Sequence, residues 1–412
     1  MAIDTLPETL TPDFERIINL GDRSGITSFS ALAKASKQAV DRKYQDFLIV
    51  DADAHHNENE AWSDIFKYIE DPVVRHRAFH GLRSGRGLGA ISGSPPTNQN
   101  VAGRIEQGSQ RRHERATVDE PKEANIILRS MDAIGIDYQV LFPTPLLQLG
   151  LHQDSDIEVG LSWAYSRWLT EEVLPHNDRI KTMVYLPFNN PEACVRVIEQ
   201  FADKPGVVGF EVTSARFRPV HHNVYMRIYR MLEERDMPLA FHAIFNQSDR
   251  LFADMNKFIS VHSLGFVLHN LVHIINMVVN GIPERFPNLK VVWIENGLAW
   301  LPFMMQRLDN EYMMRTSECP QLKKLPSEYM ADFFYTTQPM ETHYRKALEV
   351  TFEMMHAESQ LLFASDYPHW DFNLPNTIYD LPFISEQAKR NILGENARKL
   401  FKLTGEKRAP RL

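Results

Sequence analysis

The feature that most narrows the possible folds is an alternation. Short apolar runs are separated, along most of the chain, by stretches with helical periodicity. The runs are Asp46–Asp51, Tyr138–Phe142, Thr182–Leu186, Gly206–Val212, Pro238–His242, Leu289–Glu295, Phe333–Tyr335 and Leu361–Asp366. Between them lie helical patterns such as Ile126–Ile134, Ile157–Leu174, Pro191–Ala202, Tyr225–Glu234, Leu264–Val279, Ala299–Tyr312 and Thr342–Met355, and Glu386–Leu403 closes the chain. Strands joined by crossover helices pair in parallel, and eight such units close into a barrel; an open doubly wound sheet is the competitor. The position of the polar residues decides between them, because barrel chemistry gathers at the carboxyl ends of several strands. The expected fold is therefore an α/β (β/α)8 TIM-type barrel over 46–404. An N-terminal helical arm (1–45) precedes it, a long insertion (about 61–124) follows the first strand, and a tail (405–412) ends the chain. The arm carries two helical patterns, Thr11–Leu20 and Ser28–Arg42, and is expected to pack on the body or on another subunit.

Composition excludes several classes. With 43% hydrophobic and 24% charged residues the chain can bury a sizeable core. A net charge of −8 argues against a nucleic-acid surface. No run is read as long and apolar enough to span a bilayer, and the start lacks a basic segment followed by an apolar core, so a cytoplasmic enzyme is expected. Cys194 and Cys319 are too few for a disulfide framework or a thiolate zinc site. Any metal must be held by histidine and carboxylate. Gly85-Arg-Gly-Leu-Gly89 lacks the Lys-Ser/Thr and the preceding strand of a phosphate loop and reads as a loop, while Arg104, Arg111, Arg112 and Arg115 read as a solvated face.

Four of the eight runs end on a ligand-type side chain. The first leads into Asp51-Ala-Asp-Ala-His-His-Asn-Glu58, the fifth ends on His242, the sixth on Glu295 and the eighth on Asp366. Period-two alternation puts Asp53 and His55 on one face, with Glu58 a short turn beyond. Closing Val-Val-Trp-Ile with an acid is costly unless a cation or hydrogen-bond partner meets it. Asp53, His55, Glu58, His242, Glu295 and Asp366 are therefore expected to hold metal. Oxygen ligands with imidazole suit manganese or iron at least as well as zinc. Two histidines with four carboxylates is the ligand count of dinuclear carboxylate proteins, and four negative charges offset two divalent ions. Two iron and/or manganese ions are expected, with zinc in their place if the chemistry is hydrolytic or decarboxylative.

With those residues in place, the chain resembles the amidohydrolase superfamily, in the aminocarboxymuconate semialdehyde decarboxylase branch called amidohydrolase family 2. The resemblance spans residues 46–404 and is densest in three segments: Gly281-Ile-Pro-Glu-Arg-Phe-Pro-Asn-Leu-Lys-Val-Val-Trp-Ile-Glu-Asn-Gly-Leu-Ala-Trp-Leu-Pro302, Phe363-Ala-Ser-Asp-Tyr-Pro-His369 and Asn391-Ile-Leu-Gly-Glu-Asn-Ala397. It implies a (β/α)8 barrel with metal at its mouth. Two departures stand out. The chain opens Asp53-x-His55 where those decarboxylases usually open His-x-His or Glu-x-His, and it has Glu295 where they carry the sixth-strand histidine used in proton transfer. A carboxylate kept as an anionic ligand cannot serve as that acid. On this ground the chain is also similar to the dinuclear, O2-activating members that resemble 2-aminoisobutyric acid hydroxylase.

The resulting expectation is a monooxygenase that hydroxylates a small polar, carboxylate-bearing substrate, with Asp366, His369 and Glu295 in catalytic roles. The alternatives are a metal-dependent hydrolase or non-oxidative decarboxylase, and a non-catalytic partner subunit. A homo- or hetero-oligomer with a related barrel subunit is expected, because the arm and insertion have no role in a barrel. Arg216 and Arg218, after the fourth run, are candidates to bind a substrate carboxylate. Asp51 either orients His55 or ends its strand. His56, and the pair His269 and His273 at i, i+4 spacing with His262 before them, are read as packing.

Overall fold

The structure is a computed structural model that describes residues 28–58, 61–83, 122–214, 218–244, 249–255, 257–369 and 371–405. The expected Thr11–Leu20 helix, Gly85–Gly89, the four arginines of the insertion and Arg216 lie outside the described residues.

Eight strands run in parallel in sequence order: β1 (Val50–His55), β2 (Tyr138–Phe142), β3 (Ile180–Tyr185), β4 (Val207–Thr213), β5 (Leu239–His242), β6 (Val291–Ile294), β7 (Phe334–Thr336) and β8 (Leu361–Leu362). The last strand meets the first. Ala52 N–H donates to the Phe363 carbonyl at 2.8 Å, and Asp366 N–H donates to the Asp53 carbonyl at 2.8 Å. The sheet is thus a (β/α)8 barrel, and the open-sheet competitor is excluded by these closing bonds.

Two strands differ from the sequence reading. β1 begins later than the apolar run, at Val50, and continues through His55, so Asp53 and His55 are extended as the alternation required. Its polar residues stay extended because their backbone is paired on both sides: His55 N–H donates to the Tyr367 carbonyl and His56 N–H to the Phe142 carbonyl. β8 keeps only two residues of regular ladder, since the chain turns off toward Asp366.

The crossover between β5 and β6 corrects another expectation. Helix Phe258–Val279 has no Asp, Glu, Lys or Arg, and its stretch Ile259–Val279 is long and apolar enough to span a membrane by length and composition. Two of its polar side chains are nonetheless committed to the barrel. Buried Asn270 donates to the Phe241 and Ile294 carbonyls, and His273 is hydrogen-bonded to the Ser214 carbonyl.

The core has two layers. Between strands and helices lies a large apolar shell that includes Trp293, Phe241, Phe210 and Phe188. A second cluster has Val140, Met183, Ala240, Val292 and Leu362 packed with Leu400 and Phe401. The expected closing helix runs from Glu386 to Leu400, with a π-type turn, Asn391–Glu395, between Glu386–Arg390 and Asn396–Leu400. Gly394 sits in that turn so close to the Leu48 carbonyl that any side chain would collide with it. The arm helix α1 (Ser28–Asp41) packs on helix Lys122–Ile134, and Arg42 grips Asp380 at 2.9 and 2.6 Å, so this part of the arm belongs to the body.

Candidate metal and catalytic site

β1 brings Asp53 and His55 to the mouth, β5 brings His242, and the turns after β6 and β8 bring Glu295 and Asp366. Glu295 and Asp366 both hold left-handed backbone, with φ of 59° and 58°. This conformation is uncommon for non-glycine residues and costs about 1–3 kcal/mol, so its recurrence at two strand ends points to function.

The side chains form two overlapping groups of possible ligands, Asp53 with His55 and His242, and His55 with Asp366 and His369. His55 Nε2 lies 3.3 Å from Asp53 Oδ1 and 3.2 Å from Asp366 Oδ1, and His242 Nε2 lies 3.4 Å from Asp53 Oδ1. The other nitrogen of each ring is taken. Nδ1 of His55 is 2.8 Å from the Pro143 carbonyl and Nδ1 of His242 is 3.0 Å from the Ala243 carbonyl, so each Nδ1 carries the proton. Each Nε2 therefore turns a lone pair toward carboxylates. Asp53 Oδ1 and Oδ2, Asp366 Oδ1 and Oδ2, and both Nε2 atoms are fully buried without a hydrogen bond. Lone pairs converging in a dry site need a proton or a cation between them, and this donor set fits a divalent ion.

With no ion between them, a proton on the imidazoles takes the cation's place, and the shifts show how strongly the carboxylates call for positive charge. Burial raises the carboxyls, but His242 and His55 hold Asp53 below the usual carboxylate range. His369 and His55 do the same for Asp366. Burial lowers His55, yet Asp366 and Asp53 drive it well above an ordinary imidazole.

Glu295 belongs to neither group of ligands. Its Oε2 is 3.6 Å from His242 Nδ1, and burial, then the charges of Asp366 and Asp53, push its carboxyl well above the usual range. Burial and the two neighbouring carboxylates disfavour a charge on Glu295 unless a cation offsets them. His369 is 2.7 Å from Asp366 through Nδ1 and 3.3 Å from the Thr144 hydroxyl through Nε2, and its ring stacks on His55 at 4.1 Å. Burial lowers its pKa.

Glu58 is placed differently from the sequence reading: its oxygens accept from Leu146 N–H at 2.7 Å and Thr144 N–H at 3.1 Å, and it joins neither ligand group. Asp51 does not orient His55. It accepts from Ser365 N–H at 2.8 Å, Ser365 Oγ at 2.5 Å and Gln139 Nε2 at 3.1 Å, locking the turn after β8 onto β1. Burial lifts its carboxyl to about 7 against those bonds. His56 packs as expected, bonded to Tyr165 at 2.7 Å and stacked on Tyr165 and Trp168. Arg218 is exposed after β4.

One residue escaped the sequence reading. Glu211 in β4 is fully buried, and neither carboxylate oxygen has a hydrogen bond. Burial raises its pKa well above normal, and Thr213, two residues further along β4 on the same face, pairs with His242, which sets Glu211 below the site. The signal was an acid between Phe210 and Val212 in an otherwise apolar run.

Comparison with known proteins follows the same line. Residues 50–403 match the family model described as Amidohydrolase. Gamma-resorcylate decarboxylase of Polaromonas sp. is 24% identical over 287 residues, which cover 67% of this chain and 86% of that protein. The 2-amino-3-carboxymuconate-6-semialdehyde decarboxylase of Dictyostelium discoideum is 27% identical over 137 residues, 32% of this chain and 37% of that protein. Among solved structures, 5-carboxyvanillate decarboxylase from Sphingomonas paucimobilis superposes with a TM-score of 0.63 at 22% identity, covering 87% of this chain and 100% of that one. A dihydroxybenzoic acid decarboxylase from Polaromonas sp., with bound manganese and the inhibitor 2-nitroresorcinol, gives 0.61 at 20% identity, covering 87% and 97%. With a family model spanning the barrel from its first strand to its last helix, the chain belongs to the amidohydrolase family.

Proposed function

We propose that the protein is a divalent-metal-dependent, non-oxidative decarboxylase of a small aromatic carboxylate. The observation that carries this is the set of buried, unbonded ligand atoms of Asp53, His55, His242 and Asp366, with the Glu295 carboxyl beside them, 3.6 Å from His242. Likeness to resorcylate, carboxyvanillate and aminocarboxymuconate semialdehyde decarboxylases supports it, and it replaces hydroxylation as the leading reading. Asp53, His55, His242 and Asp366 would hold the ion, whose chemistry is to bind and orient the substrate carboxylate and adjacent oxygens. Glu295 gives its proton to the ring carbon as the bond to the carboxylate breaks and CO2 leaves, then regains a proton from water. His369, stacked on His55 with Nδ1 2.7 Å from Asp366, orients that carboxylate. Arg216 and Arg218 are kept as candidates for a second substrate anion.

Glu211 favours a second reading. An extra carboxylate without a partner beside the site suits a second cation, and with it two iron or manganese ions and O2-dependent hydroxylation. One experiment separates the two. The manganese-loaded protein is incubated with a panel of hydroxylated benzoates under nitrogen. CO2 release that is unchanged by O2 supports decarboxylation. Turnover that requires O2, with two ions per chain, replaces it with the oxygenase.

A further inference from the structure

Glu58, expected from sequence to bind metal, is a buried acid whose oxygens are already committed. Its two acceptor bonds go to Thr144 and Leu146, the amides on either side of Pro145, which has none to offer. The carboxylate thus clips the turn after β2 from within the loop after β1. That turn carries the two contacts that orient the site's stacked histidines: the Pro143 carbonyl receives His55 Nδ1, and the Thr144 hydroxyl meets His369 Nε2.

We propose that Glu58 is a positioning residue: by clamping Thr144 and Leu146 it holds the Pro143 carbonyl where it fixes His55 with its proton on Nδ1 and its ligand lone pair on Nε2. The proposal rests on the reading that His55 binds a divalent ion. The clamp acts on a ligand's tautomer, and partners of this kind typically set metal affinity by about 10- to 100-fold. The carboxylate is needed rather than an amide. Both of its atoms must accept, and a glutamine in either flip turns an NH2 group against one of the two N–H donors.

The test is Mn2+ binding by full-length wild type and Glu58→Gln, read as dissociation constant and ions per chain, with the melting temperature of each. The expected result is a dissociation constant raised about 10- to 100-fold in the variant, with the same number of ions at saturation and a melting temperature within a few degrees. An unchanged constant in a folded variant overturns the clamp. One ion fewer per chain also overturns it, because Glu58 would then be a ligand. A wild type that takes up no Mn2+ removes the metal reading itself and the clamp with it. As a measurement independent of the variant's folding, zinc-loaded wild type labelled with 15N-histidine is expected to show the His55 proton on Nδ1. A proton on Nε2 overturns the proposal.

Discussion

The two ends of this barrel are built from the same eight strands and solve opposite problems. The amino-terminal floor is apolar and closed: Val140, Met183, Val292 and Leu362 pack against Leu400 and Phe401. Its polar groups are paired. Asp137 accepts from Ile49 N–H at 2.9 Å, and Arg179 binds the carbonyls of Ile136 and Asp137 as well as Asp132. The mouth buries Asp53, His55, Glu211, His242 and Asp366 with oxygens or nitrogens that bond nothing. Unsatisfied buried groups destabilise a fold, and two left-handed acids add strain. The contrast teaches that the floor carries the stability that lets the mouth keep its ligand atoms free.

The comparison breaks most sharply at Asp53, which faces both histidines. Asp53→Asn is expected to lose bound metal and to lower turnover by more than the roughly hundredfold that an outer partner costs. Metal content per chain and the rate with a hydroxylated benzoate check this; full metal retention would remove Asp53 from the site. At the floor the expected effect is on stability alone. Phe401 is 5% exposed and packs in the floor's apolar cluster, so Phe401→Ala should cost about 3–5 kcal/mol in urea unfolding while leaving Mn2+ affinity unchanged in the folded protein. A matching loss of affinity would show that the two ends are not separable.

Much of this division was legible in the sequence. Eight runs with helices between them gave the strands, and β2 has the bounds read for it. His242 and Asp366 stand where an ending strand suggested. What escaped depends on contacts distant in sequence. Nothing local to Glu58 tells that Thr144 and Leu146 will occupy its oxygens. Glu295 was read as a metal ligand from the cost of burying an acid at a strand end; its full burial and its nearness to Asp366 and Asp53, which together raise its carboxyl, depend on residues remote along the chain. Glu211 was passed over because a strand pattern tolerates one polar residue, although the cost of burying it unpaired was calculable from type alone.

Glu211 also sharpens the contrast in the opposite direction from Phe401. Replacing an unbonded buried acid by an apolar side chain of similar length removes a destabilising group. In metal-free protein, Glu211→Met should raise unfolding free energy by about 1–3 kcal/mol. If Glu211 binds a second cation, the manganese-saturated variant should instead be less stable than saturated wild type and hold one ion fewer. Denaturant curves with and without Mn2+ distinguish these results, and a loss of stability in both states would show that the acid has a structural partner.

The smallest effect is expected at the floor's rim, where Asp236 meets Lys290 at 2.5 Å and Lys402 at 2.8 Å. The hydrogen bonds from Lys290 and then Lys402 hold its carboxyl below the usual range. A depressed folded-state pKa means the stabilisation is present above the unfolded value near pH 4 and is lost as pH falls through the lower folded value. All three side chains are partly exposed, so screening keeps the contribution within about 1 kcal/mol. Asp236→Asn should therefore be slightly less stable at pH 7, and the gap to wild type should close in acid and shrink in high salt. A gap that persists at pH 2 would assign the loss to something other than the ion pairs, since asparagine accepts the left-handed backbone at this position, φ 51°, as readily as aspartate.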